Sequence, residues 1–352
     1  MRVALVGCGN IAVRYAATIA AAPTLTLVGA TDVDADRAKA LAAEHGVTAY
    51  GTLDELLADG DVDTVVNLTF PAAHASVTTA ALEAGKHVHT EKPLALTHEE
   101  AQRLVQLADE RGLRLGSAPA TLLGEAQQSA WKLVRDGAIG RVRVVYAEAN
   151  WGRLERWHPD PRSLYAVGPF VDVGVYSLSI MTAMFGPVRR VQAYSTIVEP
   201  ERRFPDGGTF AMEGPDFVVA VVELADGVVA RVTASFYVGT SKQGGLELHG
   251  DAGSLHLGSW QDFDSSLELQ ERGAEYASVK PLREPYPGID WSRALVDLAE
   301  AIDDDRPHRA TGEHAAHVVE VLEAARRSAE EGGAAVDVRS DFRRPEPLDW
   351  AS

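Results

Sequence analysis

One cysteine, Cys8, stands in the 352 residues. A lone thiol forms no intrachain disulfide and no thiolate metal site by itself, which fits a reducing compartment. Long apolar runs are missing as well. No stretch approaches the roughly 20 apolar residues that a membrane span needs, and Met1 and Arg2 lead into only a handful of apolar residues before Gly7, unlike a secretory signal. The expectation is a soluble, cytoplasmic protein with no membrane partner. Basic clusters are lacking too: 33 Lys and Arg face 51 Asp and Glu, for a formal charge of -18. Nucleic acid is excluded on that ground, since phosphate binding needs clustered cations. There is no internal repeat, and Asp303, Asp304 and Asp305 read as a solvated loop. A small molecule remains as the partner class.

The length allows two domains, each with its own core. Val3 to Val6 read as a buried strand that ends in Gly7-Cys8-Gly9-Asn10-Ile11-Ala12, and Val13 to Ala22 read as a helix stopped by Pro23. Leu25 to Ala30 make the next strand, with Asp32 just past its end. Strand, glycine turn, helix, strand and an acid about 20 residues on match a dinucleotide fingerprint. Gly7 allows the tight turn, and Gly9 admits a pyrophosphate at the helix N-terminus, where Asn10 and Ile11 begin the first turn. Asp32 suits ribose hydroxyls and repels a 2′-phosphate, so NAD(H) is favoured over NADP(H). The alternative is a nucleotide-free relic of the same turn.

Further strands follow at Val47 to Tyr50, Thr64 to Leu68 and Lys86 to His89, alternating with helices. That alternation predicts a parallel, doubly wound α/β sheet. Ligands of such sheets sit outside the carboxyl ends of the strands, which gives Thr69 and Pro71 the same address as Glu91, Lys92 and Pro93. Lys92 read alone is an ordinary solvated lysine; read at the end of a parallel strand it faces the cofactor crevice.

After strand Leu113 to Gly116 and a helix around Leu122 to Arg135, the pattern changes to longer strands joined by turns, the mark of an antiparallel sheet. Hairpins are expected at Phe217 to Phe236 around Ala225-Asp226-Gly227, and at Leu246 to Leu257 around Asp251-Ala252-Gly253. Helices return at Trp291 to Ile302 and His314 to Ala329. Substrate is expected between the two domains. Gly168 to Tyr176 read as a loop entering a helix, on which Asp172 and Tyr176, four apart, share a face. A dipole-favoured acid and a core tyrosine are the alternative. Trp151, Arg153, Trp157, His158 and Tyr165 precede that helix and offer the aromatic faces and donors that polyols use, although each has an ordinary structural role open to it. No metal-type ligand spacing surrounds His158, so no metal is expected.

Taken in order, these features resemble the glucose-fructose oxidoreductase / inositol dehydrogenase / rhizopine catabolism protein family, Gfo/Idh/MocA. The matching residues are the Gly7 to Ala12 turn, Asp32, Pro71 with His74, the run Ala84-Gly85-Lys86-His87-Val88 into Glu91-Lys92-Pro93, Gly140, the Asp172 to Tyr176 segment, and the closing helix up to Val336-Asp337-Val338. The resemblance implies a Rossmann NAD-binding domain over residues 1–120 and, over 121–352, a substrate-binding and oligomerisation α+β domain with a large, mainly antiparallel open sheet. It also implies nicotinamide-dependent chemistry on a sugar or cyclitol, and a cis bond before Pro93. The family's catalytic lysine falls on Lys92 and its helix-borne acid on Asp172. The usual histidine four residues later is Tyr176 here, as in some sugar-oxidising branches.

Oxidising a secondary alcohol requires a base for the hydroxyl proton, because the cofactor takes only the hydride. The expected roles are Lys92 as acid/base, Tyr176 as a second proton donor and Asp172 as orienter. Glu91 is expected against the nicotinamide ribose, and His74 with the cofactor-binding set. Alternatives are a redox glycosidase of the same fold, an NADPH-linked ketosugar reductase and a nonenzymatic nucleotide sensor. Covering the open sheet calls for a homodimer or homotetramer.

Overall fold

Apolar strand patterns bounded by glycine turns and amphipathic helices build the first of two units. The structure, a computed structural model, describes residues 1–158 and 160–352. The first unit comprises Met1–Ala120 and Asp290–Val319, the second Thr121–Ile289 and Glu320–Ser352.

In the first unit the chain alternates β1 (Arg2–Val6), α1 (Asn10–Ala21), β2 (Thr26–Thr31), α2 (Ala35–His45), β3 (Thr48–Ala49), α3 (Leu53–Ala58), β4 (Thr64–Asn67), α4 (Pro71–Glu83), β5 (His87–Thr90), α5 (His98–Arg111) and β6 (Leu115–Ser117). The six strands lie in the order β3-β2-β1-β4-β5-β6, every neighbouring pair parallel. The order reverses between β1 and β4, which is where such sheets open a crevice at their carboxyl ends. Lys86, in the run before β5, is buried, and its Nζ donates to the carbonyls of Asp59 at 2.7 Å and Val62 at 2.8 Å. This lysine closes the turn after α3, so its part in the run is structural.

One segment departs from the sequence expectation of a boundary near residue 120 with everything beyond it in the second domain. The helix α9 (Arg293–Asp303) and the first part of α10 (Gly312–Glu330) complete the first unit's core. Leu295 and Ala299 join Val3, Leu5, Tyr15 and Ile19, while Ala316 and Val319 join Val65, Leu82 and Leu104. Asp297, 3% exposed, fastens the link between these helices by accepting from Arg309 Nη1 at 2.5 Å and Arg306 Nη1 at 3.0 Å. An amphipathic pattern shows that a helix covers something, and carries no label for which sheet it covers.

The second unit begins with α6 (Glu125–Arg135), β7 (Val142–Asn150), α7 (Arg162–Val167) and α8 (Val175–Phe185). Then follow β8 (Val188–Thr196), β9 (Glu201–Arg203), β10 (Thr209–Ala211), β11 (Phe217–Leu224), β12 (Val229–Ser235), β13 (Gly245–Gly250), β14 (Gly253–Leu257), β15 (Leu267–Glu271), β16 (Ala277–Ser278) and, late in the chain, β17 (Val336–Asp337). Nine of these strands form one sheet in the order β16-β15-β14-β13-β7-β12-β11-β8-β17. Its neighbours are antiparallel except β7 and β12. Period-two burial puts Val145, Ala147, Val218, Ala220, Val232 and Leu248 on the covered face. Every residue of α8 is buried, so its side chains are held in place by packing on all sides. No helix among the described residues is long and apolar enough to cross a membrane.

The first unit's core makes it acid-sensitive. Burial lowers the pKa of His89, His308 and His314 from 6.5 to about 3, about 4 and about 3 respectively. The unfolded chain takes up these protons near 6.5 and the folded chain holds out to about 4 or lower. Stability is therefore full above about pH 6.5 and falls as the pH drops toward about 4, by about 1.4 kcal/mol per pH unit per histidine. Urea denaturation as a function of pH should show the midpoint falling steadily through that window; an unmoved midpoint would refute the assignment of these three rings as buried and neutral.

Candidate active site

The carboxyl ends of β1 and β4 approach so closely that the first glycine is obligatory. Gly7 has φ +96°, and a Cβ there would meet the carbonyl carbon and oxygen of Leu68 at 2.8 Å. Gly9 is different. Its φ is -78°, and no protein atom lies within 4 Å of where a Cβ would stand. Nothing in the chain demands a glycine at this position, and the space in front of it is open.

The helices that connect the parallel strands differ at their N-termini as well. Asp34, Thr52 and Thr97 cap α2, α3 and α5 with side-chain oxygens that accept from Asp36, Glu55 and Glu100 amides. α1 starts from Gly9 and α4 from Phe70, neither with a side-chain cap nor an acid in the first turn, and α4 has Pro71 at its start. These two helices follow the two strands at the order reversal. Their first-turn amides and dipoles suit a pyrophosphate. At the end of β2, Asp32 is oriented by the turn itself: Oδ2 accepts from the Cys8 amide at 2.6 Å and Oδ1 from the Asp34 amide at 2.7 Å. Each oxygen keeps a lone pair for a ribose hydroxyl. Cys8 itself stays a thiol, since burial and then the Asp32 charge push its pKa up to about 11. Gly9, Asn10, Ile11, Asp32, Thr69 and Pro71 are thus gathered at one end of one sheet, and the residues present fit a dinucleotide.

Beside that cradle β5 delivers Glu91, Lys92 and Pro93. Lys92 is half-buried, its amide donates to Glu91 Oε2 at 3.0 Å, and the Lys92–Pro93 bond is cis. Glu91, 8% exposed, accepts the Tyr15 hydroxyl on Oε1 at 2.8 Å. His74, 1% exposed, places Nδ1 2.6 Å from the Pro93 carbonyl oxygen and Nε2 2.9 Å from that of Thr69. The Asn67 carboxamide knits these loops together: Nδ2 donates to the His74 carbonyl at 3.0 Å and Thr78 Oγ1 at 3.1 Å, and Oδ1 accepts from Thr69 Oγ1 at 2.6 Å. Sequence reading set Glu91 and His74 toward the cofactor; their polar atoms have protein partners here.

In the second unit, Asp172 lies in a π turn (Phe170–Gly174) that runs into α8, and Tyr176 is the second residue of α8. A spacing of four therefore crosses a wider turn and then an α turn, unlike the uniform helix expected from sequence. Asp172 is half-buried and Tyr176 is 6% exposed. The Tyr176 ring meets Trp260 edge-on at 5.0 Å; Trp260 lies 5.2 Å from Trp151, Trp151 5.9 Å from Trp157, and Trp157 5.6 Å from His158. Trp151, Trp157 and His158 are thereby brought into one aromatic run with Tyr176. Arg153 and Tyr165 go elsewhere. Arg153 pairs with Glu199 at 2.8 Å and stacks over Tyr237. Tyr165, 3% exposed, donates to Glu155 and accepts the Leu154 amide at 3.1 Å, and burial raises its pKa. Both border the buried Arg202–Asp216 pair at 2.5 Å. Trp260 and Tyr15 escaped sequence reading: one sits in a turn without a motif, the other at ordinary core spacing on α1.

Residues 1–118 match a family described as an oxidoreductase family with an NAD-binding Rossmann fold, and residues 127–256 match the GFO/IDH/MocA C-terminal domain. A dTDP-3,4-didehydro-2,6-dideoxy-alpha-D-glucose 3-reductase of Streptomyces violaceoruber is 31% identical, over 73% of this chain and 72% of that protein. The chain belongs to the Gfo/Idh/MocA oxidoreductase family. A 1,5-anhydro-D-fructose reductase of Ensifer adhaerens is 29% identical over 88% of this chain and 90% of its own. Among solved structures, aldose-aldose oxidoreductase from Caulobacter crescentus complexed with glycerol superposes with a TM-score of 0.82 at 25% identity, covering 96% of this chain and 99% of that one. This Gfo/Idh/MocA member is accordingly an oxidoreductase whose first unit has the nicotinamide dinucleotide fold.

The two glycines of the turn should separate on substitution. Gly9→Ala should leave thermal stability within about 1 kcal/mol, since φ is permissive, and weaken NADH binding at least about tenfold by filling the phosphate approach. Gly7→Ala should cost more than about 2 kcal/mol through its positive φ and main-chain clash. Calorimetry with NADH titration checks both, and equal effects at the two positions would defeat the distinction.

Proposed function

We propose that this protein is an NAD(H)-dependent oxidoreductase acting between a secondary alcohol and ketone of a sugar, glycoside or cyclitol, with Lys92 as the acid/base. The observation that carries this reading is the half-buried Lys92 at the end of β5, in the same unit and at the same sheet end as the uncapped α1 and α4 and the amide-held Asp32. The sugar-acting names of the relatives support the substrate class, and their reductase names support the ketone-reducing direction. The carboxylate of Asp32 supports NAD(H) over NADP(H), because a 2′-phosphate would meet a fixed negative charge.

Bound nicotinamide supplies the hydride acceptor or donor. The chain's own work is to hold the sugar carbon and to move the hydroxyl proton. Lys92 as neutral amine removes that proton in oxidation, and as ammonium returns it in reduction. Oxidation should therefore rise with pH and reduction should fall. Tyr176 is assigned as a second proton donor and Asp172 as a hydroxyl acceptor that orients the alcohol. Trp151, Trp157 and His158 are assigned to the sugar's apolar and polar faces, as part of the aromatic run that reaches Tyr176.

A screen of pyranoses, pentoses, inositols and glycosides with NAD+ and with NADP+, read by absorbance, tests the reading. Turnover should favour NAD+; it should fall at least about 10³-fold in Lys92→Met with NADH affinity nearly intact, and Tyr176→Phe should change the pH–rate profile. Full turnover by Lys92→Met, or preference for NADP+, would overturn the corresponding assignment.

Tyr194 at 61%, Val221 at 41% and Val229 at 41% exposure lie on one face of the large sheet, which supports a homodimer or homotetramer. Sedimentation should give two or four times the 37.7 kDa chain mass; a monomer at micromolar concentration would end that proposal.

A further inference from the structure

Lys92 is held by the main chain on both sides. Its amide donates to Glu91 Oε2 at 3.0 Å, and the carbonyl of the next residue, Pro93, lies 2.6 Å from His74 Nδ1. Burial pulls the His74 pKa below the ordinary range against the opposing pull of the two carbonyls. Both ring nitrogens lie within hydrogen-bonding distance of a main-chain carbonyl oxygen, and the shorter contact is the one to Pro93.

Each holding group is in turn tied to a helix that begins at the order reversal. Glu91 Oε1 accepts the hydroxyl of Tyr15, on α1, at 2.8 Å, and the Tyr15 ring lies 5.7 Å from Trp291. His74 stands in the first turns of α4, with its own carbonyl bound by Asn67 Nδ2 at 3.0 Å. A carboxylate that is 8% exposed is not needed to fill space, because an apolar side chain of that volume would avoid the cost of desolvating a charge. Its two oxygens do something an apolar group cannot: one takes a hydroxyl from α1, the other the amide of the lysine.

We propose that Glu91 and His74 are positioning residues that fix the Lys92 main chain relative to α1 and α4, with Tyr15 setting the register of Glu91. The proposal rests on Lys92 being the proton carrier, and it replaces a cofactor contact as the role of Glu91 and His74. Misplacing a reacting group by about 1 Å costs on the order of 10²-fold in rate, so these two bonds govern turnover without touching substrate.

The test uses full-length Glu91→Gln, Tyr15→Phe and His74→Gln proteins. Glutamine at 91 keeps the shape and an acceptor for Tyr15, but leaves the Lys92 amide without a carboxylate. Amide exchange at Lys92 in the absence of cofactor should speed up at least about tenfold in Glu91→Gln and about threefold in Tyr15→Phe. The kcat should fall about 10- to 100-fold in Glu91→Gln and His74→Gln, with sugar KM and NADH Kd within about threefold of the parent. Unchanged Lys92 exchange in Glu91→Gln and Tyr15→Phe overturns the proposal. So does an NADH Kd that weakens in step with kcat, which would make Glu91 a cofactor contact. If Glu91→Gln does not fold, Tyr15→Phe, which keeps the ring against Trp291, decides alone. Full turnover by Lys92→Met would remove the lysine's proposed role while leaving the exchange result intact, so the two failures are distinguishable.

Discussion

The main-chain approach of Gly7 to Leu68 is the constraint on which the first unit's chemistry depends. A Cβ at Gly7 would stand 2.8 Å from the Leu68 carbonyl group, so the ends of β1 and β4 come this close only with a glycine. The turn that follows then aims the Cys8 amide at Asp32, leaves Gly9 facing open space and starts α1 without a cap. A carboxylate held by main-chain amides, an open space before Gly9 and an uncapped helix start behind it all follow from one missing methyl group.

A second constraint acts through hydrogen-bond accounting. Buried polar groups must be partnered, and the loops after β4 and β5 meet that demand with one another. Asn67 serves His74, Thr78 and Thr69; His74 serves Thr69 and Pro93; Glu91 serves Tyr15 and Lys92. Because these bonds close on themselves, Lys92 is carried on a rigid frame even though it lies on a loop. Among the helices that connect the parallel strands, α2, α3 and α5 have a side-chain oxygen as acceptor for a first-turn amide, and α1 and α4 have none.

What could be read from sequence was what is local. The glycine turn, Asp32 and the alternation of strands and helices are short-range patterns, and the hairpins around Asp226 and Asp251 form where their turn residues stand. What could not be read was partnership across distance. Residues 290–319 cover the first unit's sheet although they follow the second unit's strands in sequence. Tyr15 looked like any core tyrosine on α1, and only the fold sets its hydroxyl on Glu91. Trp260 reaches Tyr176 from a turn with no periodic pattern. Arg153 and Tyr165 had the right chemistry for a polyol, and a fully buried arginine, Arg202, gathers their surroundings into a charge network instead.

That network sharpens the view of the second unit as well. Arg202 is 0% exposed and sits among Glu155, Glu199 and Asp216, joining the segment before α7 to the β9–β10 hairpin and to the start of β11. Removing Arg202 would leave the fully buried Asp216 carboxylate without its cation. Leu154, fully buried between Arg153 and Glu155 and held through its amide by the Tyr165 hydroxyl, pins the start of the segment that carries Trp157 and His158. The aromatic residues assigned to the sugar thus hang between two rigid supports, the buried charge cluster at one end and the Trp260–Tyr176 contact with the all-buried α8 at the other. On the proposed reading, these supports limit how far the segment that carries Trp157 and His158 can shift.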